Sequence, residues 1–103
     1  MATNTEISQH VDIELESLRL MLGDLADVAD EWDQLPGAEQ ASWSLDWDQL
    51  MGGLKVILDP AYRSGTMSSG QHTRYVALLC SLREALPLMN RIGLYPPPVS
   101  LEP

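Results

Sequence analysis

A stripe of hydrophobic residues, spaced alternately four and three positions apart, runs through the first third of the chain. This spacing keeps side chains on one face of an α-helix for about six turns. The stripe consists of Val11, Leu15, Leu18, Leu22, Leu25, Ala29 and Trp32. Thr3 and Glu6 have the spacing of a capping box, in which two side chains satisfy backbone N–H groups at a helix start. Pro36-Gly37 stops the pattern, since proline disfavours helical geometry in the residue before it. We therefore predict a first helix over about residues 4–35.

The same spacing returns in the middle of the chain. The second stripe consists of Trp43, Trp47, Leu50, Leu54 and Ile57, and it predicts a helix over about residues 38–58 that ends at Asp59-Pro60. Gly52-Gly53 lies inside this helix. Each glycine there costs about 1 kcal/mol relative to alanine, so the pair either lets another backbone approach closely or breaks the helix. Residues 59–70 are rich in Ser, Gly and Pro, and are expected to form a mobile connection.

The last third of the chain carries a third stripe, made of Tyr75, Leu79, Leu82, Leu86 and Met89. Ser68 and Gln71 form a second capping box ahead of it. We predict a helix over about residues 69–92, closed by Gly93, with a kink or a new turn at Pro87 because proline lacks the N–H that a helix interior uses. The run Tyr95-Pro96-Pro97-Pro98 must be extended, which is typical of polyproline II.

Strand-like alternation is absent, and 103 residues suffice for one hydrophobic core but not two. The sequence therefore predicts an all-α protein, an antiparallel three-helix bundle with a proline-rich extended C-terminal tail over residues 95–103. We expect residues 1–103 to form a single helical domain.

The tetrapeptide Trp-Asp-Gln-Leu occurs twice, as Trp32-Asp33-Gln34-Leu35 and as Trp47-Asp48-Gln49-Leu50. Each copy places Trp and Leu three positions apart on one helical face. The repeat therefore describes two helix segments that bury similar anchors. It carries no recognisable chemistry, and the three tryptophans are expected to be core anchors rather than a binding cage, with any rim position able to serve as an interaction hot spot.

Fifteen acidic residues against six basic ones give a net charge of −9. Contact with nucleic-acid phosphates requires clustered Lys and Arg, so neither direct nucleic-acid binding nor binding to an anionic membrane is expected. No apolar run approaches the roughly 20 residues that span a bilayer, and no signal peptide is evident. The single Cys80 cannot form an internal disulfide and is expected to be buried and inert. These features favour a cytoplasmic protein.

Few residues suggest catalysis. Glu6, His10 and Glu14 lie at i, i+4 and i+8 and could offer three ligands to a divalent metal. A solvated helix face is the favoured interpretation, because a metal site needs a converging further ligand and His72 is the only other imidazole. Ser68-Ser69-Gly70 lacks the elbow of a serine hydrolase. We expect no catalytic residue, metal or cofactor, and a metal-dependent enzyme built around the first helix is the remote alternative.

Acidic residues crowd the end of the first helix, where like charges repel and oppose the helix dipole. They are Asp24, Asp27, Asp30, Glu31 and Asp33. Arg74, Arg83 and Arg91 recur along the third helix and could neutralise this cluster within the bundle. Alternatively, the cluster meets a basic partner, since charge complementarity speeds encounter and selects partners.

Ile13 and Leu20 lie seven residues apart on the face of the first helix that is opposite the main stripe. Exposed aliphatic residues there could seed a contact with a partner, although single exposed leucines are common. The predicted function is a non-catalytic protein–protein interaction module, either a homodimer or a small accessory subunit, whose partner-binding residues are Ile13, Leu20, Asp24, Asp27, Asp30, Glu31 and Trp32. The alternative is an acidic inhibitor or antitoxin-like protein that binds a basic, nucleic-acid-binding partner.

Overall fold

The computed structural model describes residues 4–103, and its regular elements in that range are all helical. They are α1 (Asn4–Glu31), a 3-10 turn (Trp32–Gln34), α2 (Gly37–Gly53), a π-helical segment (Leu54–Leu58), α3 (Asp59–Arg63) and α4 (Ser69–Ile92). α2, the π segment and α3 follow one another without a gap, and together they are called the second helix below. The predicted all-α three-helix bundle is confirmed.

Contacts at the two ends of the bundle establish the helix directions. α1 and α4 run parallel, because Gln71 at the start of α4 donates to the carbonyl oxygen of Ser8 at 3.1 Å, and Arg91 near its end pairs with Asp30 at 3.5 Å. The second helix runs opposite to both. Tyr75, near the start of α4, bonds to Asp59, near the end of the second helix. Gly53, in the second half of that helix, lies against the side chain of Glu14 in the first half of α1.

The three predicted stripes meet in one core. Its buried hydrophobic residues are Val11, Leu15, Leu18, Leu25, Trp47, Met51, Leu54, Leu58, Ala61, Tyr75, Leu78, Leu79, Leu82, Met89 and Leu94. Leu22 and Leu86 are half-buried and pack against this core. The four-three spacing therefore identifies the inward faces of α1 and α4, because residues at these intervals share one side of a helical cylinder. In the second helix the face is rotated from the prediction: Met51, Leu58 and Ala61 are buried with Trp47 and Leu54, whereas the predicted Trp43, Leu50 and Ile57 are half-buried.

The second helix extends beyond the predicted end at residue 58. It continues through Pro60 to Arg63, so the non-helical connection is shorter than the predicted 59–70. Proline crowds the carbonyl four residues before it and donates no hydrogen bond. The π segment ends at Leu58, two residues before Pro60, and the N–H of Asp59 bonds to the carbonyl of Leu54, five residues back. This wider turn lets the helix accept the proline instead of ending at it.

Gly52-Gly53 does not break the second helix, which changes from α to π geometry after Gly53. A Cβ at residue 53 would lie 2.7 Å from the Cδ atom of Glu14, whereas a Cβ at Gly52 would meet nothing within 4 Å. The close approach expected at this pair therefore occurs at Gly53 only, and its neighbour is a carboxylate rather than a backbone.

The end of α1 also differs from the prediction. The α-helix stops at Glu31 rather than at residue 35, and the 3-10 turn follows. The N–H of Leu35 bonds to the carbonyls of both Glu31 and Trp32 at 3.1 Å, which tightens the last turn. Leu35 itself is extended, as expected for the residue before Pro36. The capping box predicted at Thr3 and Glu6 lies partly outside the described residues.

α4 follows the prediction closely. It begins at the predicted capping box, runs without interruption through Pro87, and ends at Gly93, whose φ of 72° is favourable for glycine.

After α4, the tail lies along the bundle. The indole Nε1 of Trp47 donates to the carbonyl of Tyr95 at 2.9 Å, and Arg83 donates to the carbonyl of Leu101 at 3.2 Å. Val99 and Leu101 pack against the core.

Replacing Ser68 with alanine should lower the free energy of unfolding by about 1 kcal/mol, the usual cost of losing an N-cap. The Ser68 hydroxyl accepts from the N–H of Gln71 at 3.1 Å, and the Ser68 N–H donates to the Gln71 side chain at 3.0 Å. Urea denaturation followed by circular dichroism measures the change. Ser69→Ala, one residue into the helix, is the matched control and should shift stability by less than about 0.5 kcal/mol. Equal losses in the two variants would contradict the capping role.

Candidate functional site

Exposed residues form a second four-three stripe on α1, called the outer stripe here. Its members are Glu6, His10, Ile13, Ser17, Leu20, Asp24, Asp27 and Glu31, and all except the half-buried Ser17 are exposed. Ile13 is 62% exposed and Leu20 is 54% exposed, so both lie outside the core as the sequence predicted. The outer stripe is apolar at its centre and acidic at its C-terminal end.

A groove of about 520 Å³ lies beside the outer stripe, between α1 and α2. It is called the acidic groove below, and it is lined by Glu14, Ser17, Leu20, Met21 and Asp24 from α1 and by Trp43, Asp46, Gln49 and Leu50 from α2. Met21, Trp43 and Leu50 also pack against the core, so they form an apolar floor. Three carboxylates surround this floor, and the groove is therefore amphipathic.

The tryptophans connect this groove to the interior. Trp43 stacks on Trp47 with ring centroids 5.8 Å apart, and Trp32 meets Trp43 edge-on at 6.5 Å. Trp47 is fully buried, whereas Trp32 is half-buried and sits in the 3-10 turn. The two copies of the repeat therefore do not bury equivalent anchors. Trp32, which the sequence suggested for partner binding, makes an edge-to-face contact with Trp43 and does not line the groove.

The arginines neutralise little of the acidic cluster. Arg91 pairs with Asp30 at 3.5 Å. Arg74 reaches α1 near its start, at Asp12 (3.5 Å) and Glu16 (3.9 Å). Arg83 instead pairs with Glu102 of the tail at 2.7 Å. The expected internal neutralisation therefore holds for one arginine and one acid of the cluster.

The remaining bases are also placed away from the acidic groove. Arg19 pairs with Glu16 at 2.6 Å, and Arg63 pairs with Asp59 at 3.5 Å. Lys55 lies on the other side of the second helix, beside Tyr95 of the tail. Within residues 4–103, no ion pair reaches the carboxylates that border the groove or end the outer stripe. These are Glu14, Asp24, Asp27, Glu31 and Asp46.

A second groove, of about 540 Å³, continues along the same seam toward the start of α1. It is called the apolar groove here, and its aliphatic lining comprises Ile7, Val56, Ile57, Pro60 and Ala61. Val56 is 71% exposed. The sequence analysis did not single out Val56. Its position next to Ile57, outside the predicted inward stripe, could have indicated that it is exposed. The seam between α1 and the second helix is thus apolar at one end and acidic at the other.

The proposed metal ligands do not assemble into a centre. Glu6 and His10 border the apolar groove, while Glu14 borders the acidic groove and lies against Gly53. Residues 4–103 contain no group of three or more His, Cys, Asp or Glu side chains placed to hold a metal ion. The Ser68 hydroxyl is engaged as a helix cap. Cys80 is exposed, not buried as expected, because the inward stripe of α4 passes through its neighbour Leu79.

Three described groups have shifted pKa values, and none of them lines the two grooves. Burial raises the pKa of the Tyr75 phenol well above its usual value, and the neighbouring carboxylate of Asp59 adds to the shift. The hydrogen bond from Arg19 lowers the pKa of Glu16, and the same hydrogen bond raises the pKa of Arg19. All three shifts accompany ordinary structural contacts, since Tyr75 is in the core and Glu16 forms a surface ion pair with Arg19.

Compared with protein-family models, curated proteins and solved structures, the chain matches none of them. Among the helices of the described region, none combines the length and the apolar character needed to span a bilayer. Function must therefore be inferred from the surfaces of the bundle itself.

Proposed function

We propose that this protein is a non-catalytic interaction module that binds another protein through the outer stripe of α1 and the acidic groove beside it. One observation supports this most directly. Ile13 and Leu20 are more than half exposed, and on the same helix Glu14, Asp24 and Asp27 form no ion pair with a described base. Exposed apolar residues with a charged surround are typical of interaction surfaces.

The charge of this face favours a basic partner over a second copy of the same chain. If two α1 helices paired antiparallel with Ile13 opposite Leu20, Asp24 and Asp27 of one copy would face Gln9 and Glu6 of the other and would gain no basic partner there. Parallel pairing would set the acidic ends of the two stripes against each other. Like charges across an interface oppose association. The module therefore acts as an accessory subunit, and inhibition of a basic partner is one form that this function can take.

The size of the face is adequate for a specific complex. From Ile13 to Glu31 the stripe rises about 27 Å along α1, at about 1.5 Å per residue. A standard interface buries about 800 Å² on each partner, and the exposed surface of the protein is 6237 Å². The face requires only a modest part of that surface.

We also propose a cytoplasmic location. Cys80 is an exposed free thiol, and the reducing conditions of the cytoplasm preserve thiols in that form.

Site-specific photo-crosslinking in the cells that produce this protein tests the proposal. A photoreactive residue at position 20 should form an adduct with another protein. The same group at position 77, which is exposed on the outer side of α4, should not. Mass spectrometry of the adduct identifies the partner. Equal adducts at both positions, or none at positions 13 and 20, would refute the proposed face, and an adduct of two copies of this chain would refute the basic partner.

A further inference from the structure

We infer, on the basis of the function proposed above, that the partner segment is a basic amphipathic helix that lies along the seam between α1 and the second helix. It would become a fourth helix of the bundle. The seam comprises the outer stripe, the acidic groove and the apolar groove.

The outer stripe has the period that a helical ligand packed alongside it would match. Its eight positions alternate by four and three over the whole of α1, as do the stripes by which the three helices of the bundle pack against one another. A four-three stripe presents a continuous row of side chains to a helix packed alongside, because both surfaces then have the same period. An extended strand, with a period of two, would not match it.

The shape of the seam agrees with this inference. Leu20 lines the acidic groove, and Ile13 lies one heptad before it on the outer stripe. The floor of the acidic groove offers Met21, Trp43 and Leu50 as a surface for an inserted side chain. Helices already cover the opposite flank of α1, where Asp12 and Asp30 meet α4. The seam is the flank of α1 at which a further helix can pack without displacing an existing one.

The distribution of charge along the seam indicates which end of the ligand is basic and which end is apolar. Carboxylates gather at one end of the seam, at Asp24, Asp27 and Asp46, while aliphatic side chains line the other end, at Ile7 and Val56. All five arginines are paired elsewhere, and Lys55 is on the far side of the second helix. Ile7 and Asp24 lie about 26 Å apart along α1, at about 1.5 Å per residue. A complementary helix of roughly 18 residues therefore covers both ends of the seam and carries Lys or Arg at one end and apolar residues at the other.

Two synthetic 18-residue peptides test the inference with the full-length protein. Both carry leucine at the same heptad positions. One bears lysine at the flanking positions of one half, and the other bears glutamate there. Fluorescence anisotropy measures affinity at 50 mM and 300 mM NaCl, and amide chemical shifts locate the binding surface. The lysine peptide should bind at least tenfold more tightly than the glutamate peptide at low salt, and this preference should shrink at high salt because ions screen exposed charges.

Variants of the protein then test the surface. Leu20→Ser should weaken binding of the lysine peptide about tenfold. Leu45→Ser is the matched control, since Leu45 is 58% exposed on α2 and does not line the seam, and it should leave affinity unchanged. Asp24→Asn combined with Asp27→Asn should reduce the salt dependence, whereas Asp48→Asn, on the tail side of α2, should not. Thermal melts of all variants establish that each is folded.

The outcomes separate this inference from the function on which it is based. Equal binding of the two peptides, binding of neither, or chemical-shift changes confined to α4 would overturn the inference that a basic helix binds along the seam. If the crosslinking experiment still gave a partner adduct at position 20, the interaction function would stand and its ligand chemistry would be different. If the lysine peptide bound at the seam but cells gave no adduct, the seam would still prefer a basic helix, and the proposed interaction function in cells would be refuted.

Discussion

Replacing Trp47 with alanine should lower the free energy of unfolding by about 3–5 kcal/mol, the range for truncating a large buried aromatic residue. Trp47 is fully buried, stacks on Trp43 at 5.8 Å and donates its indole N–H to the carbonyl of Tyr95. The substitution therefore leaves a cavity in the core and removes a bond that holds the tail. Urea denaturation followed by circular dichroism measures the loss.

Trp32 supplies the matched control, because it begins the other copy of the repeat. Trp32→Ala should cost only about 1 kcal/mol, since its ring is half-buried and contributes one edge-on aromatic contact. Limited proteolysis adds a second readout. Cleavage near Tyr95 should become faster in the Trp47 variant and remain unchanged in the Trp32 variant. Equal destabilisation by the two substitutions would contradict the unequal burial of the two copies.

Replacing Tyr75 with phenylalanine should change how stability depends on pH. At neutral pH the variant loses about 1.5 kcal/mol, the lower end for a hydrogen bond to a charged acceptor. The Tyr75 hydroxyl donates to Asp59 at 3.0 Å, and Arg63 continues to pair with that carboxylate at 3.5 Å in the variant. The wild-type protein is therefore the more stable of the two below pH 10.

Above pH 10 the difference in stability should shrink, and beyond the crossing point the order should reverse. The pKa of Tyr75 is raised in the folded protein, so the unfolded chain releases the phenolic proton at about pH 10 while the folded protein retains it. Unfolding then releases a proton, and wild-type stability falls by about 1.4 kcal/mol per pH unit relative to the variant. The two stability curves should cross near pH 11, which follows from dividing the neutral difference by this slope.

Urea titrations between pH 7 and pH 11.5 test the crossing. Tyr95→Phe is the control, because Tyr95 is 59% exposed and takes no part in the hydrogen bond to Asp59. Parallel curves for wild type and Tyr75→Phe above pH 10 would show that the Tyr75 phenol ionises as readily in the folded protein as in the unfolded one.

α1 carries two stripes with the same period and different composition. The inward stripe is uniformly apolar, and it packs against the other two helices in the core. The outer stripe is apolar only at Ile13 and Leu20 and is acidic beyond them. A partner that binds there would meet a surface on which apolar contact supplies affinity and charge supplies selection, which is the usual division at protein interfaces. The acidic part of the stripe is the reason that we propose a basic partner rather than a second copy of this chain.

The stripes and the terminal signals of α4 could be predicted from sequence because their causes are local. Leu15, Leu79 and the capping pair at Ser68 and Gln71 act within one or two helical turns, where spacing alone decides which side chains share a face. The same reasoning placed Ile13 and Leu20 on the outside of α1. It failed at Pro60, because the prediction treated proline as a stop and the helix instead widened to a π turn before it.

The composition of the candidate site could be predicted, but its arrangement could not. The acidic residues and the exposed aliphatic pair are visible in the sequence. Asp46 and Asp24 become neighbours across a groove only because α2 packs antiparallel to α1. In the same way, whether the arginines meet the acidic cluster depends on their angular positions on α4. Arg74 and Arg91 face α1, whereas Arg83 reaches the tail.

The amino-acid sequence was enough to establish the helical class, the inward faces of α1 and α4, the excess of negative charge and the exposed pair at Ile13 and Leu20. Each of these depends on residue type and on spacing within a helix. Only the tertiary structure decided which acids remain without an arginine, which tryptophan is the anchor, and that the seam is apolar at one end and acidic at the other. Those properties arise from contacts between helices far apart in the chain, and their register is set by the packing of the whole core.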